Sequence, residues 1–163
     1  MRTDSVEARR IGLVSDTHDD FVDWPAVRAK IAAALEGVDL VVHCGDVTSE
    51  GALDDLARVA PVMAVRSAAD PAPCPPRLVD GPRLIEVGPW TIAVVNALPE
   101  GQRTAGFDMP VDAVVFGGTH RASVERVDDV LFVNPGSPSL ADRTSVAILE
   151  LGAGGLAARV IDV

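Results

Sequence analysis

Three short apolar runs separated by two helix-like stretches occupy the first 66 residues, and this alternation limits the fold more than any other feature of the chain. Residues 11–15 (IGLVS) read as a buried strand that is broken by the polar stretch 16–20 (DTHDD). Residues 25–35 (PAVRAKIAAAL) open with Pro25 in a first helical turn, space Val27, Ile31 and Leu35 by four, and stop at Gly37. A second strand covers 39–44 (DLVVHC) and ends at Gly45 and Asp46; residues 49–58 form a helix capped by Ser49; a third strand covers 62–66. Strand–helix–strand–helix–strand order predicts parallel pairing with right-handed crossovers, and ligands of such sheets collect at the carboxyl ends of the strands. Asp16, Asp46 and Asp70 all fall just past those ends.

From residue 71 the pattern changes. Pro71, Pro73, Pro75 and Pro76 predict a stiff loop, and β-like runs follow at 83–87, 91–95, 111–116, 123–127, 130–133, 144–150 and 156–162. Residues 97–110 carry Pro99, Gly101, Gly106 and Pro110, which argues against a helix there. With 163 residues and no repeat or linker, the expectation is one domain over 1–163 with a single core.

Charge narrows the partners. A formal net charge of −10 gives a field that repels a phosphate backbone, so extended nucleic acid is not expected, and Trp24 and Trp90 are too few to form a stacking platform. A small phosphorylated substrate stays compatible, because a bound divalent cation reverses the field within a pocket. Cys44 and Cys74 match no metal or disulfide spacing, the first ten residues lack the apolar core of a signal peptide, and no apolar run approaches a membrane span. These features predict a cytoplasmic protein without membrane contact.

Four residues carry the candidate chemistry. Asp16 and His18 stand two apart at a strand end, so in extended backbone they leave on one side, although such a pair also serves as a turn or cap. Asp46 follows Gly45, which permits a tight turn aiming the carboxylate over the sheet edge; a helix-capping role is the alternative. His120 ends the stretch 117–120 (GGTH) after an apolar run, where a solvated loop imidazole is the alternative. Mixed oxygen and nitrogen donors suit manganese, iron or zinc better than calcium or magnesium. His43, inside an apolar strand, reads as a packed core residue or as a support for the neighbouring Asp46.

Residues 14–18 (VSDTH), 43–46 (HCGD), 65–70 (VRSAAD), 117–120 (GGTH) and 133–137 (VNPGS), in this order, resemble the small bacterial and archaeal phosphodiesterases of the calcineurin-like metallophosphoesterase family over about residues 10–150. The resemblance implies an α/β fold of two mixed β-sheets packed face to face with flanking helices, a four-layer αββα sandwich. It also implies phosphodiester or phosphomonoester hydrolysis, with Asp16, His18, Asp46 and His120 as the catalytic, metal-holding set for a first cation. The family's second cation shares the bridging aspartate and adds an asparagine and two histidines; here those places hold Ala68, Asn96 and Gly118. Only Asn96 among them keeps a side-chain donor, so one tightly bound transition metal per chain is expected. Two-metal hydrolysis clamps the phosphoryl group between cations roughly 3.5–4 Å apart, so the loss leaves a second reading open. In it the chain is a weak or inactive binding protein, resembling the retromer subunit of the same fold, with a homo-oligomer or a protein partner. Residues 134–137 are expected to be a structural turn supporting the site loops.

Overall fold

The apolar runs of the first half form β2 (Arg10–Val14), β3 (Leu40–His43) and β4 (Val62–Val65), joined by α1 (Trp24–Ala34) and α2 (Glu50–Leu56). This computed structural model describes residues 2–98, 107 and 109–163. Both helices begin as the sequence predicts. Asp23 caps α1 by accepting from the Ala26 N–H, with Pro25 in the first turn, and Ser49 caps α2 by accepting from the Ala52 N–H. Ile31 and Leu35 are fully buried beneath α1. Trp24 ties the helices together by donating from Nε1 to Asp55 on α2 at 2.9 Å.

Among the described residues, twelve strands make two mixed six-stranded sheets. One has the order β12-β11-β2-β3-β4-β5 and contains the expected parallel pairs β2–β3 and β3–β4, with β11 (Ser145–Gly152) and β12 (Gly155–Asp162) antiparallel at one side. The other has the order β1-β6-β7-β8-β10-β9, built from β6 (Arg83–Val87), β7 (Trp90–Val94), β8 (Ala113–Val115), β9 (Ser123–Val127) and β10 (Val130–Asn134). Their inner faces meet in a core that includes Leu13, Val42, Ile85, Ile92, Val115, Val133 and Leu149. The helices cover the outer face of the first sheet through Ile31, Leu35, Leu53 and Leu56. On the outer face of the second, Leu84, Ala93, Val114 and Phe132 cluster with Leu98, Phe107 and Val111. The expectation for 97–110 falls largely on residues 99–106 and 108, outside the described residues. No described helix is long and apolar enough to cross a membrane.

Two strands depart from the sequence reading. The polar start is β1 (Arg2–Val6), paired in parallel with β6 at a sheet edge, and the proline-rich stretch contains the two-residue β5 (Leu78–Val79), paired with β4. The buried Arg83 of β6, 1% exposed, explains the polarity of β1. Its Nε donates to Asp4 Oδ2 on β1 at 2.7 Å, Nη1 donates to the carbonyls of Ala64 and Arg77 at 3.2 and 3.0 Å, and Nη2 donates to that of Pro76 at 2.7 Å. Burial works against the Asp4 charge, but Arg83 and Arg2 outweigh it and hold the carboxyl below its usual range. One guanidinium thereby joins an edge strand of one sheet to the β4–β5 region of the other.

Replacing Arg83 by Met leaves Asp4 with Arg2 as its remaining partner and removes the guanidinium's bonds to the Ala64, Arg77 and Pro76 carbonyls, at a cost of about 3 kcal/mol. Urea denaturation measures it, and a loss below about 1 kcal/mol would show that the bridge is dispensable.

Candidate metal centre

Parallel pairing puts the loops after β2 and β3 side by side, and backbone hydrogen bonds stitch them together. Asp16 N donates to Gly45 O and His18 N to Asp46 O, both at 3.0 Å. The turn after β10 closes from the other side: Ser137 Oγ donates to Asp16 O at 2.8 Å and Ser139 Oγ to Thr17 O at 2.7 Å. Asn134 Nδ2 donates to Thr119 Oγ1 at 3.0 Å, so residues 134–137 support the site loops as expected. Gly117 lets the loop after β8 approach, because a Cβ there would fall on the Ser15 side chain and 2.9 Å from Asp16 Oδ2.

All four residues chosen from the sequence adopt left-handed backbone, with φ of 54° at Asp16, 43° at His18, 59° at Asp46 and 59° at His120. Asp and His tolerate this region better than most residues, yet it costs on the order of 1 kcal/mol each and persists only where surrounding contacts impose it.

Three of the four meet at one point. His18 Nε2 lies 3.3 Å from His120 Nε2, and Asp16 Oδ1 lies 3.4 Å from His120 Nε2 and 3.9 Å from His18 Nε2. Asp16 is fully buried; its Oδ2 accepts from Gly118 N at 2.9 Å, while Oδ1 has no hydrogen-bond partner among the described residues. A buried carboxylate oxygen without a donor is costly, and two imidazole nitrogens facing it supply the remaining donors for a cation. This oxygen and nitrogen set, with ligand atoms mutually within 4.8 Å, fits a first-row transition metal.

Asp46 adjoins the triple. Its Oδ1 accepts from Ser67 Oγ at 2.6 Å. Burial raises its pKa, but the Ser67 hydrogen bond, the neighbouring Asp16 carboxyl and the His18 charge outweigh burial and hold it below the usual range. Asp16 is raised, chiefly by burial and also by the nearby Asp46 carboxyl, against the lowering effect of the Gly118 N–H. Asp46 is therefore the ionised member of the pair and Asp16 the one that keeps a proton to higher pH. Asn96 also hydrogen-bonds Asp46, and its Nδ2 donates to Cys44 O at 2.7 Å, which presents an amide nitrogen to this side of the site. Ala68 has no donor, and at Gly118, with φ of 86°, a Cβ would lie 3.3 Å from that of Ala97.

Two supports stand behind these residues. Asp70, placed at a strand end by the sequence but given no role by it, accepts backbone N–H bonds from Asp46, Val47, Thr48 and Ser67 at 2.9, 2.7, 3.0 and 2.8 Å. His43 is fully buried, and Gly45 N donates to its Nδ1 at 3.0 Å, so the proton sits on Nε2 and is donated to Thr17 Oγ1 at 3.1 Å. Both readings of His43 hold together: it is a core residue, and it braces the two loops.

Residues 10–154 match the calcineurin-like phosphoesterase superfamily domain. The chain belongs to this superfamily. It is 32% identical over 150 residues to a probable metallophosphoesterase of Methanocaldococcus jannaschii, covering 86% of this chain and 74% of the relative. A phosphodiesterase of the same organism is 28% identical over 144 residues, with 78% and 82% covered. Among solved structures, an archaeal phosphodiesterase superposes with a TM-score of 0.74 at 24% identity, covering 94% of this chain and 99% of the other. Vps29 of Chaetomium thermophilum superposes at 0.72 with 18% identity, covering 96% and 97%. Both structures share the fold of two mixed sheets, and metal dependence belongs to the superfamily.

Burial pushes the His43 pKa down to about 4, although the Asp70 and Asp46 charges pull it upward. Between about pH 4 and its unfolded value of 6.5 the unfolded chain therefore binds a proton that the folded chain refuses, and stability falls as pH drops through that window, by on the order of 3 kcal/mol across it. His43→Asn keeps an acceptor for Gly45 N and does not titrate, so it should lose this part of the slope. Denaturation midpoints at pH 7 and pH 4.5 check this; an unchanged slope in the variant would assign it to another group.

Proposed function

We propose that the protein is a metal-dependent phosphoesterase acting on a small phosphodiester or phosphomonoester, with Asp16, His18, Asp46 and His120 holding its cation. The observation that carries this reading is the orphaned, buried Asp16 Oδ1 facing the Nε2 atoms of His18 and His120. When bound, a divalent transition metal polarises a phosphoryl oxygen and makes water a better nucleophile near neutral pH. The chain's own residues hold the donors ready: Gly118 N fixes Asp16 Oδ2 and leaves Oδ1 free, while Ser67 Oγ orients Asp46. The phosphoesterase relatives support the reaction class. The small size of the substrate fits a chain whose net charge of −10 disfavours a polyanion.

A second reading, a binding protein on the same fold, is favoured by one observation. Around the second-metal position, Ala68 and Gly118 offer no side-chain donor, and Asn96 directs its amide nitrogen to the Cys44 carbonyl. Kinetics separate the two. The manganese-supplemented protein should hydrolyse bis-p-nitrophenyl phosphate, and Asp46→Ala, checked for folding by circular dichroism, should lower the rate by at least about a hundredfold. Equal rates for the two proteins remove the enzyme and leave the binding protein.

The same donor count predicts one firmly held transition metal per chain. Elemental analysis after exhaustive dialysis reads the stoichiometry directly, and two tightly held metals would show that the second position is intact by other means.

A further inference from the structure

Beyond His120 the surface opens into a groove of about 620 Å³, within the size range of small-molecule pockets. It runs from the 119–122 loop along β9 to the end of β12. Ala122, Val124, Ala141 and Val160 give it an apolar lining, and Arg121 stands at the end next to His120.

Arg121 differs from its neighbours. Arg143, on the same groove, is matched by Asp162 through two bonds of 2.7 Å, and Arg126 on β9 donates to the Leu156 carbonyl at 2.9 Å. The Arg121 guanidinium has no hydrogen-bond or ion-pair partner among the described residues, in a chain with 24 acidic and 14 basic side chains. Its backbone is nevertheless fixed: Arg121 N donates to Thr119 Oγ1 at 3.3 Å, and that oxygen also accepts from Asn134 in the turn that supports the site. The groove's other charged side chains are Asp142 and Arg143, and Arg143 is already matched by Asp162. An exposed, unspent guanidinium on a fixed backbone beside His120, at the mouth of an apolar groove, is suited to planar, two-point recognition of a carboxylate or phosphate.

We infer that this groove takes the organic arm of the phosphoester substrate and that Arg121 binds an anionic substituent, a carboxylate or a second phosphate, carried on that arm. The inference rests on the phosphoester reading for the position of the reacting phosphate. It makes Arg121 a specificity-determining residue: a substrate with the second anion gains, and one without it does not.

The test uses two matched pairs of compounds with the manganese-loaded protein. Phenyl p-nitrophenyl phosphate and its 4-carboxyphenyl counterpart are compared by kcat/KM, and phenylphosphonate and 4-carboxyphenylphosphonate are compared by calorimetric binding. The wild type should favour the carboxylated member of each pair by about tenfold at low salt, with the preference shrinking as ionic strength rises. Arg121→Ala should abolish the preference, Arg121→Lys should keep part of it, and Arg121→Glu should reverse it, with the uncarboxylated diester changing less than its carboxylated partner in every variant. A wild type indifferent to the carboxylate, or an Arg121→Glu protein with the wild-type ratio, overturns the inference, as does failure of both phosphonates to bind. If neither diester is hydrolysed but the phosphonate pair is still discriminated through Arg121, the phosphoesterase reading falls and the anion subsite stands.

Discussion

The Asp70 carboxylate is the interaction on which the arrangement of the site depends. With two oxygens it accepts four backbone N–H bonds, three from consecutive residues of the loop after β3 and one from Ser67 in its own loop. Those three consecutive donors can converge on one anion only if the chain turns sharply, and Asp46 and Thr48 accordingly sit at φ of 59° and 68°. Charge-assisted bonds of this kind are roughly twice as strong as neutral ones, enough to offset the left-handed angles they impose. The consequence reaches Asp46, whose direction follows from its own backbone, and His18, whose N–H is held by the Asp46 carbonyl.

Around this anchor, small polar side chains keep the loops in place. Ser137 and Ser139 occupy the carbonyls of Asp16 and Thr17, Thr48 and Ser49 both donate to Asp19, and His43 spans Thr17 and Gly45. Buried polar groups that are satisfied in this way rigidify a site, and against that background the unmatched Asp16 Oδ1 is informative.

Much of this was legible in the sequence because it is written in runs and positions. β2, β3 and β4 are continuous, largely apolar and buried segments, and the ends of β2 and β3 locate Asp16 and Asp46 two and three residues on. β1 was not legible: its alternating polar residues are explained by Asp4, whose partner Arg83 lies 79 residues away. β5 was hidden by length, being two residues among prolines. The convergence of His120 with Asp16 and His18 and the supporting turn at 134–137 could be expected from the resemblance, but not the roles of Asp70 and Ser139. An aspartate or serine that accepts or donates to distant backbone looks, in sequence, like any turn residue. The left-handed angles were invisible for the same reason, since tertiary hydrogen bonds impose them.

The Arg83 bridge has a further consequence for the site at a distance. Asp16, His18 and Asp46 are carried on loops of the sheet containing β2 and β3, whereas His120 is carried on a loop following β8 of the other sheet. The candidate donor set therefore spans two layers, joined by nondirectional apolar contact between their inner faces and, at the centre itself, by Gly118 N on Asp16 Oδ2 and Ser137 Oγ on Asp16 O. Apolar contact resists separation more than sliding, and Arg83, with directional bonds to both layers, is one more pin against sliding. The 3.4 Å between His120 and Asp16 is thus a mechanical tolerance shared among several fastenings of the sandwich.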